Sequence, residues 1–278
     1  MKPLRVSAIS YLNTVPLMWD FEHGSAGAHF QVTYTIPSQC AASLKSGSAD
    51  IGIIPAAAYA SIPDLGILPG VAIASVRPVR SILLVSKVPR DEIRTVALDT
   101  SSLTSVALLK ILFAKWWNGE RSFTAMEPHI DQMLRTHDAG LVIGDPALRI
   151  DRSRYITYDL AEEWIRLTRK PFVFAFWAVR RESLSNLAPE VDLAAVFQQS
   201  RDHGLAPDSL NAIAEAWAPR LRLTPPEIRS YLTENIHYEL DPDCIEGLQL
   251  FFKYACDCGA LSQAPKVRFL EPRHAAIS

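Results

Sequence analysis

Strands that alternate with helices constrain this chain more than any other feature. Short apolar runs at residues 5–9, 30–35, 49–55 and 81–86 read as strands. Helices are expected between them at residues 14–21, from Pro37-Ser38 to Gly47, and near residues 56–60. Within the second run, Phe30, Val32 and Tyr34 alternate with Gln31, Thr33 and Thr35, the period of a half-buried strand. Ser38 is placed as an N-cap, and Gly47 as the stop of the helix that follows. Strands separated by helices need crossover connections, so the sheet is expected to be mostly parallel.

The pattern restarts at about Arg94. Residues 95–98 read as a strand, Asp99-Thr100-Ser101-Ser102 as a polar loop, and residues 104–117 as an amphipathic helix closed by Asn118-Gly119. Residues 140–143 form the next expected strand, followed by Gly144-Asp145-Pro146. The apolar run 172–179 reads as a buried strand that carries the chain back to the first unit. From about Pro189 onward the chain reads as helical. Thr224-Pro225-Pro226-Glu227 has the form of a capping box with proline in the first turn, and Asp241-Pro242 starts a helix expected to reach about Ala260. A length of 278 residues suits two lobes. The expected division is 1–93 with 180–278 against 94–179, the C-terminal helices packing on the first lobe.

Composition excludes several classes of function. The chain is 49% hydrophobic and 21% charged, with a formal net charge of −2, and its Lys and Arg are not clustered. Neither a nucleic-acid footprint nor a basic membrane-binding face is expected. No apolar run approaches the roughly 18 residues of a membrane span, and the N-terminal residues lack the features of a signal peptide, so a cytoplasmic location is expected. The cysteines Cys40, Cys244, Cys256 and Cys258 have no zinc spacing and read as reduced thiols. The histidines are scattered. There is no Gly-rich nucleotide loop and no Gly-x-Ser-x-Gly elbow. No metal and no redox cofactor is expected.

One arrangement recurs at Ser10-Tyr11-Leu12-Asn13, at Pro37-Ser38 and at residues 99–105: a strand ends, a polar loop follows, and a helix begins. Ligands of open parallel sheets bind at the carboxyl ends of strands, where helix N-termini offer unpaired N–H groups and partial positive charge. Such loops also occur as simple caps, but three of them converging point to a shared anionic site. The candidate binding residues are Ser10, Tyr11, Ser38, Pro55, Ala56, Ser81, Thr100, Ser101, Ser102, Thr104, Ser105 and Gly144, with Asn13 and Asp145 as candidate catalytic residues. Asp145 reads equally as a general base or as a cap of the turn at Pro146. Cys40 reads as an activated thiol or as a small buried residue. With so few acid–base groups, the chain is either a binding protein or an enzyme that positions a substrate supplying its own functional group.

Several segments resemble the menaquinone-biosynthesis branch of the type II periplasmic-binding-protein superfamily, and within it the chorismate dehydratases. They are Ser10-Tyr11-Leu12-Asn13-Thr14-x-Pro16-Leu17, Ala49-Asp50-Ile51-Gly52-Ile53-Ile54-Pro55, Pro78-Val79-Arg80-Ser81-Ile82-Leu83-Leu84, Val96-Ala97-Leu98-Asp99-Thr100-Ser101-Ser102-x-Thr104-Ser105 and Ile143-Gly144-Asp145-Pro146-Ala147-Leu148. Asp159-Leu160-x-x-x-Trp164 and Pro171-Phe172-Val173-Phe174-Ala175-x-Trp177-Ala178 extend the match, and Arg77 departs from it where a small residue is expected. The resemblance implies a two-lobed α/β fold of the type II periplasmic-binding-protein kind. It also implies a cofactor-free hydro-lyase that dehydrates chorismate in the futalosine route to menaquinone. In this family the substrate's own side-chain carboxylate is implied as the base, with Asn13 orienting the substrate. A sister family acting later in the route carries a histidine where this chain has Gly144-Asp145. The expected partner is a small molecule, with no nucleic acid or membrane, and the chain reads as a monomer or homodimer.

Overall fold

The protein is described by a computed structural model covering residues 3–24, 29–186 and 191–271. In chain order the first elements are β1 (Leu4–Ile9), a 3-10 turn (Leu12–Met18), α1 (Trp19–His23), β2 (Phe30–Thr35), α2 (Pro37–Ser46), β3 (Ile51–Pro55), α3 (Ala56–Tyr59) and β4 (Leu65–Ser75). They are followed by β5 (Ile82–Ser86), β6 (Thr95–Asp99), α4 (Thr104–Leu112), β7 (Ser122–Met126), α5 (Ile130–Thr136), β8 (Ala139–Ile143), α6 (Gly144–Leu148), β9 (Ile156–Asp159) and α7 (Leu160–Thr168). The chain ends with β10 (Phe172–Arg180), α8 (Leu193–Gly204), α9 (Pro207–Leu221), α10 (Pro225–Ser230) and α11 (Pro242–Asp257). Pro189, where the helical tail was expected to begin, lies outside the described residues.

Two five-stranded sheets result, ordered β2-β1-β3-β10-β4 and β7-β6-β8-β5-β9. Each holds a parallel core: β1 pairs parallel with β2 and β3, and β6 with β7 and β8. Each also takes in one antiparallel strand, β10 in the first sheet and β5 in the second. These are the strands that enter a sheet from the other one. The chain passes between sheets at residues 76–81 and again at 169–171.

This topology corrects the expected division at two places. The strand at 81–86 was assigned to the first lobe but pairs with β8 and β9, so the second sheet begins before residue 93. The strand at 172–179 was counted in the second lobe, yet it lies between β3 and β4 of the first sheet. Both strands are apolar on both faces, which marks a central strand without saying which sheet it joins.

Local signals were read more reliably. Gly47 ends α2 at φ +74°, a left-handed conformation that favours glycine. The Thr224 capping box is formed, and Asp241 caps α11 by accepting the Cys244 N–H. Ser38 is a correction: α2 starts with Pro37, Ile36 holds the cap position, and no side chain caps it. The expected helix 104–117 is α4 continued by a π-helical turn, Phe113–Trp117. Trp116 and Trp117 both donate their indole N–H to Glu163 there. The elements β4, β7, α5, β9 and α7 were not anticipated.

The tail helices cover the first sheet as expected. Phe197 of α8 is fully buried, with its ring 4.7 Å from Trp177 of β10 and 4.9 Å from Phe21. Phe251 of α11 packs on Phe172 at 5.3 Å. No helix among the described residues is long and apolar enough to cross a membrane.

Candidate active site

The carboxyl ends of β1, β3, β6 and β8 face one cavity between the sheets. The first sheet contributes Tyr11 and Asn13 from the turn after β1, Pro37 from the start of α2, and Pro55 at the end of β3. The second contributes Ser102, Leu103, Thr104 and Ser105 around the start of α4, with Gly144 at the start of α6. The crossover supplies Val79 and Ser81, while Ile9, Ile73, Ile82, Ile143 and Phe174 form an apolar floor. Among the described residues, no Asp, Glu, His, Lys or Arg lines this cavity.

Eight of the residues expected from sequence therefore meet here: Tyr11, Asn13, Pro55, Ser81, Ser102, Thr104, Ser105 and Gly144. The others do not reach the wall. Ser10 is exposed and its hydroxyl donates to the Thr35 carbonyl at 3.2 Å. Ser38 is half-buried one residue beyond Pro37, which takes the wall position instead. Ala56 is buried behind the wall in α3. Thr100 is exposed and bonds Glu127. Ser101 is buried, and both its N–H and its hydroxyl donate to Asp99 Oδ1, at 2.8 and 2.6 Å. Arg77, the departure from the family pattern, is exposed and is not a wall residue.

Gly144 has a physical reason to be glycine. Its φ is +61°, and a Cβ there would stand 2.5 Å from the Tyr11 ring. The aromatic ring of one sheet's loop thus lies against the backbone of the other's.

Hydrogen bonds cross the cleft at its edges. The Leu12 N–H donates to Asp145 Oδ1 at 3.0 Å. Thr104 Oγ1 accepts the Ala57 N–H at 3.1 Å and donates to the Phe174 carbonyl, also at 3.1 Å. The Thr104 hydroxyl, expected to face an anion, is thus engaged in joining α4 to α3 and β10. The hydroxyls of Ser102 and Ser105 form no hydrogen bond among the described residues. Beside them, α4 begins at Thr104 with no side-chain cap, so its first N–H groups have no intrahelical partner.

Two carboxylates lie behind the wall, Asp99 buried and Asp145 half-buried. Asp99 accepts from Ser101 and, at 3.4 Å, from the Ile143 N–H, which ties β6 to β8; burial raises its pKa. Asp145 is pushed up to about 6, chiefly by burial, with the Leu12 N–H and Arg149 acting in the opposite direction. A carboxyl whose pKa is raised on folding favours the fold when protonated. That contribution is complete below its unfolded value near 4 and is lost as pH rises through about 6. Asparagine keeps the acceptor for Leu12 without the charge. Asp145→Asn is therefore expected to stabilise the protein at pH 7, by on the order of 3 kcal/mol relative to its effect at pH 4. Urea unfolding at the two pH values checks this, and a pH-independent difference would contradict it.

Cys40 is fully buried and its thiol is pushed up to about 11, which leaves it protonated and unreactive at neutral pH. His237, Asp241 and Cys244 have potential ligand atoms within 4.8 Å of one another, away from the cleft wall. Both Asp241 oxygens are already engaged there, one capping α11 and the other at 2.7 Å from His237 Nε2. Sequence reasoning missed Tyr231, whose hydroxyl donates to Ser81 Oγ at 2.9 Å. It also missed most of the apolar floor.

Two sheets joined by two crossovers, with the cavity between their strand ends, define a two-lobed fold of the periplasmic-binding-protein type. Solved structures agree. The fold is similar to that of a protein from Archaeoglobus fulgidus (TM-score 0.72, 16% identity, 93% of this chain and 98% of that one). It is also similar to the alkanesulfonate-binding protein of Xanthomonas axonopodis pv. citri (TM-score 0.67, 17% identity, 97% of each chain). Within this class the chain belongs to the menaquinone biosynthesis family, whose pattern it matches over residues 4–257. It is 30% identical over 269 residues to the chorismate dehydratase of Thermus thermophilus, covering 90% of this chain and 94% of that protein.

Proposed function

We propose that this protein is a chorismate dehydratase, a hydro-lyase that converts chorismate to 3-[(1-carboxyvinyl)oxy]benzoate and water, and that it works in the cytoplasm. The observation that carries this reading is the character of the cleft. An apolar floor is ringed by Asn13, Ser81, Ser102 and Ser105, and among the described residues no acid, base or fixed cation stands on the wall.

Chorismate presents a largely apolar six-membered diene ring and two carboxylates. The isoleucines and Phe174 face the ring. The free N–H groups at the start of α4, with the Ser102 and Ser105 hydroxyls, hold a carboxylate by hydrogen bonds and the helix dipole. Charge-assisted hydrogen bonds contribute about 1.5–3 kcal/mol each, enough to fix a carboxylate without a salt bridge. The ring carbon that bears the ether oxygen loses its proton, and the neighbouring hydroxyl leaves with a proton as water. The ring becomes aromatic, which drives the reaction without oxidation or reduction. The substrate's side-chain carboxylate lies close to that proton and serves as base, in keeping with a wall that carries none. Asn13 holds the reacting geometry by hydrogen bonds. The two sheets act as lobes that part about residues 76–81 and 169–171 to admit substrate, and the Leu12–Asp145 and Ala57–Thr104–Phe174 contacts re-form on closure.

Protein dialysed against a strong chelator and then given chorismate tests the chemistry. Undiminished turnover is expected. Activity lost on dialysis and restored by a divalent ion would overturn the metal-free reading.

A further inference from the structure

Asp159 closes β9 and caps α7. As the cap it accepts the Ala161 and Glu162 N–H groups on Oδ1, at 3.1 and 3.2 Å. A helix cap needs no more than this. The same carboxylate also accepts two N–H groups from the first crossover, Val79 on Oδ1 at 3.1 Å and Arg80 on Oδ2 at 2.7 Å. Asp159 is only 6% exposed. A carboxylate so buried is costly unless it is hydrogen-bonded, and here backbone donors from two segments converge on it.

The two additional bonds fall beside the cleft. Val79 and Ser81 line the cavity, and Arg80 lies between them. The Arg80 backbone is left-handed, with φ +65°. Residues other than glycine rarely adopt that conformation, and it persists where the surroundings enforce it. Arg169 and Arg222 share it, but each closes a helix, a common place for it. Arg80 closes no helix and stands between β4 and β5. Its N–H is held by Asp159, and its carbonyl accepts from Arg152 Nη2 at 3.1 Å. Ser81 comes next, and its carbonyl accepts the Gly144 N–H at 2.7 Å. The dihedral angles of Arg80 set the direction in which the chain enters Ser81, and so where the Ser81 side chain stands on the wall.

We infer that Asp159 is a positioning residue of the cleft, whose carboxylate holds Arg80 in the left-handed conformation that sets Val79 and Ser81 on the cavity wall. The effect on turnover rests on the chorismate reading, but the effect on the backbone does not.

Asp159→Asn separates this role from helix capping, because asparagine caps helices as well as aspartate does. Three N–H groups meet Oδ1 and one meets Oδ2, so the amide oxygen takes the Oδ1 place. The NH₂ is then left against the Arg80 N–H, donor against donor. Adding Arg80→Gly removes the need for the grip, since glycine adopts positive φ without strain.

Turnover of chorismate by the unaltered protein and by Arg80→Gly alone is measured first, and its absence in the unaltered protein would count against the function reading alone. Where turnover is present, Asp159→Asn should lose about tenfold in kcat/KM, and the double variant should regain the level of Arg80→Gly. Unaltered kcat/KM in Asp159→Asn, or no recovery in the double variant, would overturn the inference and leave Asp159 as a cap. A second readout needs no substrate. The Gly144 amide resonance, whose N–H bonds Ser81, should move in Asp159→Asn and in the double variant return to its position in Arg80→Gly. A resonance that stays in place in the first variant, or stays displaced in the second, would overturn the inference. If the asparagine variant fails to fold, the double variant decides: a folded protein with the Gly144 resonance restored supports the inference, and failure to fold overturns it, because Asp159 then holds more than Arg80.

Discussion

Asn13→Ala is expected to lower turnover of chorismate by about 100-fold while the protein unfolds at nearly the same temperature. The side chain is half-buried at the cavity wall, in a 3-10 turn whose shape is set elsewhere. The Thr14 N–H donates to the Tyr11 carbonyl at 3.0 Å, and the Leu12 N–H is held by Asp145. Removing the amide therefore leaves the turn intact and deletes only the group that orients the substrate. The loss should fall on kcat more than on KM, because a misplaced substrate still binds but reaches the reacting geometry less often. Losses of stability and activity in step would instead assign Asn13 a structural role.

Thr104→Val is expected to do the opposite, reducing stability and closure together. Valine has nearly the same shape but can neither accept the Ala57 N–H nor donate to the Phe174 carbonyl. Both groups belong to buried residues, and a buried polar group left unpaired costs about 1–3 kcal/mol. The unfolding free energy should fall by about that amount for each group, and chorismate affinity should fall by about tenfold or more as the closed arrangement loses its bridge. Thr104→Ser retains the hydroxyl and should restore both. A valine variant with wild-type stability and affinity would show that the bridge does not hold the lobes together.

How much of this was legible in the sequence depends on the range of the interactions. Strands such as β1, β3 and β6 announce themselves by compact apolar runs, and their polar carboxyl-end loops point to the cleft. Tyr11, Asn13, Ser102 and Ser105 follow from that local logic. β4 was hidden because Pro69-Gly70 in its middle has the composition of a turn, whereas the strand runs through it with Gly70 at φ +79° and shifted register against β10. The membership of β5 and β10 was hidden because pairing partners far apart in sequence decide it. Ser38 was misjudged because proline at the first helical position already starts α2. Tyr231 gave no local signal, since its partner Ser81 is 150 residues away, and only the fold brings them together. Asp145 was read as a base or a turn cap, whereas its carboxylate reaches across the cleft to Leu12.

The most direct measurement is to mix the purified protein with chorismate and identify the product by mass spectrometry and proton NMR. The account predicts a compound lighter by one water, with an aromatic ring and the enolpyruvyl group retained. Chorismate recovered unchanged, while calorimetry shows that it binds, would contradict the account and leave the cleft as a binding site without chemistry.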